Sequence, residues 1–240
     1  MGKGLFVTAT STGIGKTVIS AILCRLFSEI YNKVLYYKPV QTGAVYIDGE
    51  IRSPDSEFVS RFNSDKKNIS YQSDYLFDKP ASPHLSAAIE KKEICIENII
   101  ESYKKKSYEF DAIAVEGAGG LLVPLSEKGG FISDIPKRLN LNVALVSRAG
   151  LGAINDVLLN LNFIRQSCIK TGAVILLTED ILPTDIEEDN YKTIKRLSGL
   201  DNIYLFPRII GVDTENYIFG DVESKLKYFP DKKTVRGWLS

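Results

Sequence analysis

The 240-residue sequence predicts an α/β fold: a doubly wound, mostly parallel sheet flanked by helices. Three observations carry that expectation. Short apolar runs alternate with longer stretches of helical period, the first helical stretch opens directly after a glycine-rich turn, and no linker or repeat divides the chain. Alternating strands and helices join through crossovers that lay the strands parallel. We expect a single domain over residues 1–240.

In chain order, the first strand is expected over residues 5–9. A helix follows the turn, because Val18, Ile19, Ile22, Leu23, Leu26, Phe27 and Ile30 recur at steps of three and four and make one apolar face. A second strand is expected over 34–37, then a helix over 54–62 that opens at a proline. Helices over 82–90 and 94–103 precede a third strand at 112–115. Strands at 143–146, 173–177 and 203–206 then alternate with helices at 153–168 and 185–197. The run Lys104, Lys105, Lys106 reads as a solvated helix end neutralised by Glu101 and Glu109.

Composition narrows the function. Thirty basic side chains balance thirty acidic ones, so no whole-molecule field favours nucleic acid and a small-molecule partner is expected. Cys24, Cys95 and Cys168 are widely spaced and form no C-x-x-C pair, which argues against a disulfide framework or a zinc site. No apolar run approaches the ~20 residues of a membrane span, and the N-terminal region turns polar too early for a signal peptide. A cytoplasmic location is expected.

Residues 8–17 read Thr-Ala-Thr-Ser-Thr-Gly-Ile-Gly-Lys-Thr between the first strand and the first helix. That is the context of a phosphate-binding loop, in which backbone N–H groups surround phosphate oxygens, a lysine neutralises them and a Thr hydroxyl faces Mg²⁺. Gly13, Ile14, Gly15, Lys16, Thr17 and Val18 stand where this chemistry needs them, although Thr10 occupies the position where the strict motif has glycine. Mg²⁺ takes oxygen ligands, and two acids stand out. Glu116 ends a buried-looking strand ahead of Gly117, Ala118, Gly119 and Gly120, at the sheet edge where doubly wound folds bind ligands. Asp55 lies at a helix start, where it would also suit the helix dipole. Lys38 ends the second strand beside the loop, placed to meet charge developing in phosphoryl transfer.

Together these residues resemble the dethiobiotin synthetases, P-loop enzymes that close a ureido ring. The resemblance spans most of the chain: Phe6-Val7-Thr8 leading into the loop, Tyr37-Lys38-Pro39-Val40, Asp55, Ser82-Pro83-His84, residues 115–120 with Pro124-Leu125, and residues 150–155. That family has glycine where Ala9 stands here, a replacement that removes tolerance for positive φ. The resemblance implies ATP as co-substrate, with 7,8-diaminononanoate and CO₂ or bicarbonate as the other substrates, joined through a carbamate and a carbamic-phosphoric anhydride. It implies Lys16 and Lys38 as catalytic residues, and Thr17, Asp55 and Glu116 around Mg²⁺. Gly117, Ala118 and Gly119 are expected beside the nucleotide, with Pro207, Arg208 and Ile209 near its base. Thr12, Lys38, Thr42, Gly152, Asn155 and Tyr191 would face the diamino acid, with a homodimer sharing the site. His84, the sole histidine, reads as structural. Many family members also place an Asn near the base, where this chain runs Leu176-Leu177-Thr178.

Two other classes share these signals. Switch ATPases of chromosome partition and cell division carry an extra lysine early in the loop, where this chain has Thr10, Ser11 and Thr12, and an amphipathic C-terminus that residues 223–240 do not offer. Amide synthases of the cobalamin type would require a glutaminase module. A non-catalytic binding module is the third reading, distinguished by nucleotide binding without substrate-dependent turnover.

Overall fold

The computed structural model describes residues 2–127 and 129–240. Strand β1 (Lys3–Ala9) is buried from Gly4 onward and leads through the glycine turn into α1 (Lys16–Ser28). Next comes β2 (Val34–Thr42), longer than expected, and a small hairpin of β3 (Val45–Ile47) and β4 (Glu50–Arg52). Helix α2 (Pro54–Phe62) has Ser53 as its cap, the hydroxyl accepting from Ser56 N–H. Then follow β5 (Ile69–Phe77), α3 (Pro83–Ile89), α4 (Ile96–Glu109), β6 (Ala112–Glu116) and α5 (Asp134–Leu139). The second half continues with β7 (Asn142–Arg148), α6 (Ala153–Gln166), β8 (Thr171–Leu177), α7 (Asp185–Ser198) and β9 (Ile203–Phe206). A hairpin of β10 (Val212–Asp213) and β11 (Ile218–Phe219), then the short helices α8 (Val222–Lys225) and α9 (Lys232–Arg236), complete the order.

Seven strands form one sheet in the order β5-β2-β6-β1-β7-β8-β9, every neighbouring pair parallel. The connection from β6 to β7 crosses β1, so the chain winds outward on both sides of the first strand. That places the carboxyl ends of β1, β2 and β6 side by side beneath the N-terminus of α1, where such sheets bind ligands. Period-2 alternation divides the strands between two cores. Leu5, Val7, Val34 and Tyr36 join α1 and α2 on one face; Phe6, Leu35, Tyr37 and Val115 join α4, α5, α6 and α7 on the other.

Several elements depart from the sequence expectation. Pro39 lies inside β2, and the strand tolerates it because pairing with β6 has already ended at Tyr37. Strand β5 was not anticipated; it is an outer strand whose polar Asp74 turns toward α4 and bonds Ser102 and Lys106. Helix α4 runs on to Glu109, so Lys104 and Lys105 are exposed near its end as expected, whereas Lys106, in the last turn, is half-buried and forms an ion pair with Asp74. Helix α5 and the two hairpins were also unanticipated. The C-terminal segment contributes Val222, Phe229, Val235 and Trp238 to the α1-side core. No helix among the described residues is long and apolar enough to cross a membrane.

Candidate nucleotide and substrate site

The turn between β1 and α1 is held open by two glycines. Gly13 has φ 71° and Gly15 has φ 118°, and a Cβ at Gly15 would stand 2.9 Å from the Leu177 side chain. Both positions favour glycine conformationally, and a Cβ at the second would also require the end of the Leu177 side chain to shift. Ala9 lies inside β1 and is not among the residues with positive φ, so the loss of glycine there costs no backbone freedom. Thr10 continues the line of the strand, its N–H donating to Val146 O and its hydroxyl meeting that of Ser147 at 3.1 Å. Lys16 is buried and donates to Ser11 O at 3.3 Å. Burial, followed by the nearby Lys38 charge, lowers its pKa from the ordinary lysine value.

Four side chains from separate elements meet beside this loop. Thr17 Oγ1, from the first turn of α1, donates to Asp55 Oδ1 at 3.2 Å and to Glu116 Oε1 at 3.0 Å. Lys38 Nζ, from β2, lies 2.7 Å from Asp55 Oδ2 and 2.8 Å from Glu116 Oε1, and donates to Gly117 O at 3.1 Å. Burial alone would lower the pKa of Lys38, but attraction to Asp55 and Glu116 outweighs it and raises the pKa above the ordinary value. The ammonium is retained at any physiological pH. Tyr36 donates to the second Glu116 oxygen at 2.8 Å, and its phenol is raised well above its ordinary pKa by burial and then by the Glu116 charge.

Two carboxylates and a hydroxyl converging on one point form an oxygen donor set, and a cation, the Lys38 ammonium, already sits between the carboxylates. The residues fit Mg²⁺, which accepts one or two protein carboxylates and completes its shell with phosphate and water. Among the described residues no cluster of three or more His, Cys, Asp or Glu is arranged for a metal.

A cleft of about 1220 Å³ opens over these groups. Of the residues expected at a site, Thr12, Gly13, Ile14, Gly15, Lys16, Thr17, Val18, Lys38, Thr42, Asp55, Glu116, Ala118, Gly119, Pro207, Arg208 and Ile209 line it. Gly117 does not line it and acts from behind, through its carbonyl on Lys38. Gly152 and Asn155 line a separate hollow at the start of α6, and Tyr191 lines neither, packing against the α4 to α7 core. A single chain therefore does not bring these three to the cleft. The sequence reading missed Arg148, which ends β7 and lines the cleft, and Tyr36; only their strand-end and strand positions could have signalled them.

Strand, glycine turn and helix, with Lys16 and Thr17 at the helix start and an acid from a neighbouring strand, define a P-loop nucleotide-binding protein. Solved structures share the architecture. A ParA family ATPase from Chlorobium tepidum aligns with a TM-score of 0.61 at 14% identity, covering 99% of this chain and 97% of that one. The MinD cell division protein from Aquifex aeolicus aligns at 0.57 and 16%, covering 98% and 94%. At such identities the likeness establishes the fold alone. The model of a family described as an AAA domain matches residues 3–216. An ATP-dependent dethiobiotin synthetase from Clostridium perfringens is 35% identical over 229 residues, covering 94% of this chain and 99% of that protein. Its namesake from Methanococcus vannielii is 36% identical over 200 residues, covering 83% and 90%. The chain belongs to the dethiobiotin synthetase family, and it is an ATP-dependent ligase.

Proposed function

We propose that the chain makes dethiobiotin in biotin biosynthesis, closing the ureido ring of 7,8-diaminononanoate with CO₂ at the expense of ATP. The observation that carries this reading is the position of Lys38, an obligate cation between Asp55 and Glu116 at the foot of the phosphate loop. In this scheme one substrate amine adds to CO₂ and releases a proton, giving a carbamate. A carbamate oxygen then attacks the γ-phosphorus, the bond to the β-phosphate oxygen breaks, and ADP leaves. The second amine attacks the resulting carbamic-phosphoric anhydride at carbon, loses a proton and expels phosphate.

Each step asks mainly for positioning and charge stabilisation. Loop amides and Lys16 would hold the β- and γ-phosphates, with Lys16 passing from the Ser11 carbonyl to the phosphate. Thr17, Asp55 and Glu116 would hold Mg²⁺, which when bound supplies positive charge at the phosphate oxygens. Lys38 would stabilise the carbamate and the transferring phosphoryl group, while Thr12 and Thr42 face the amines. Gly152, Asn155 and Tyr191 are assigned to the substrate carboxylate across a homodimer, since α6 presents its N-terminus beside Gly152.

The test is ADP release with and without 7,8-diaminononanoate and bicarbonate. Release that requires both supports the reading; release indifferent to the diamine would point to a switch ATPase, and nucleotide binding without release to a binding module.

A further inference from the structure

Tyr36 is completely buried, and its side chain lies on the same face of β2 as Lys38, two residues on. In register it pairs with Ala114, two residues before Glu116 on β6, so Tyr36 and Lys38 address Glu116 from successive positions of the neighbouring strand. They divide its carboxylate between them. Lys38 and Thr17 both use Oε1, whereas Tyr36 OH donates to Oε2 at 2.8 Å. Among the described residues Oε2 has no other hydrogen-bond donor. Glu116 is itself 1% exposed, so water does not readily replace that bond. The ring of Tyr36 fills space within an apolar cluster that a phenylalanine would fill as well, so packing does not account for the hydroxyl.

We propose that Tyr36 is a positioning residue: its hydroxyl anchors Glu116 Oε2 and thereby presents Oε1 to Thr17, Lys38 and Mg²⁺. The proposal rests on the metal role assigned above to Glu116. Partners of this kind, bonded to a metal ligand rather than to the metal, fix its orientation and commonly change affinity by about 10- to 100-fold.

The experiment compares the wild-type protein with Tyr36→Phe, using calorimetric titration of ADP in EDTA and across a series of Mg²⁺ concentrations. In EDTA the two should bind ADP within about twofold, which also shows that the variant is folded. The Mg²⁺ concentration giving half of the metal-dependent gain in affinity should rise at least about tenfold in the variant. A Tyr36→Phe protein with the wild-type Mg²⁺ response, whether or not its melting temperature falls, would reduce Tyr36 to a core residue and overturn the proposal. Absence of any Mg²⁺ response in the wild type would instead overturn the metal assignment itself, and the proposal with it. The two failures appear in different proteins and are not confused.

Discussion

Lys38 and Asp55 meet at 2.7 Å although one lies on a sheet strand and the other in the first turn of a helix that follows a separate hairpin. The contact keeps the Lys38 ammonium at the floor of the cleft rather than in solvent. Lys38→Ala is expected to lower kcat by roughly 10²-fold or more, the scale of losing one preorganised donor in a transition state. Steady-state kinetics decide the matter: an altered KM with unchanged kcat would mean that Lys38 only binds.

Asp55→Ala and Glu116→Ala should each lower turnover more than they weaken diamine binding, because the carboxylates are assigned to the metal and phosphate end of the cleft. The kinetics should be run over a range of Mg²⁺ concentrations. Full activity of Glu116→Ala at ordinary Mg²⁺ would remove the metal assignment.

Base selectivity should be weak. Thr178 Oγ1 donates to Asp180 O at 2.5 Å and accepts from Arg208 N–H at 3.2 Å, and the Arg208 guanidinium donates to Glu179 O at 2.9 Å. Both side chains are engaged with backbone groups and so are not free to read a base edge. An absent polar contact is worth ~1–3 kcal/mol, so GTP or CTP should support turnover alongside ATP. Comparison of kcat/KM for the three triphosphates tests this, and a preference for ATP above ~10³-fold would contradict it.

Trp238 packs against Tyr204 and Phe229 at centroid distances of 5.4 and 5.9 Å, and is 3% exposed. Trp238→Ala should destabilise the protein by about 3–5 kcal/mol through the cavity it leaves. Urea unfolding should show the loss as a lower midpoint; a midpoint unchanged from wild type would show that the C-terminal segment is not integral to the core.

The parts of the molecule legible in the sequence are those where one local pattern suffices. Residues 8–17 announce a phosphate loop by composition, and the apolar spacing from Val18 to Ile30 announces α1. Glu116 was legible because it directly follows a buried run. Strand β5 was not, since an outer strand carries Gln72, Ser73 and Asp74 and is mostly half-buried, which blurs its alternation. Asp55 alone looked like a helix-start acid, and its role depends on a partner, Lys38, brought close by tertiary packing. Tyr36 sat unnoticed in an apolar run because the carboxylate that gives its hydroxyl a purpose lies 80 residues away.

The ionised groups lining the cleft cancel. Lys16, Lys38, Arg148 and Arg208 stand against Asp55, Glu116, Glu179 and Glu215, within a chain whose formal charge is also zero. Such a mouth casts little field into solution, so a nucleotide gains no electrostatic steering over distances beyond the Debye length of ~8–10 Å. Capture then depends on collision and short-range fit. The rate of nucleotide association should be nearly flat as ionic strength rises, and stopped-flow traces across a salt series would display that flatness directly.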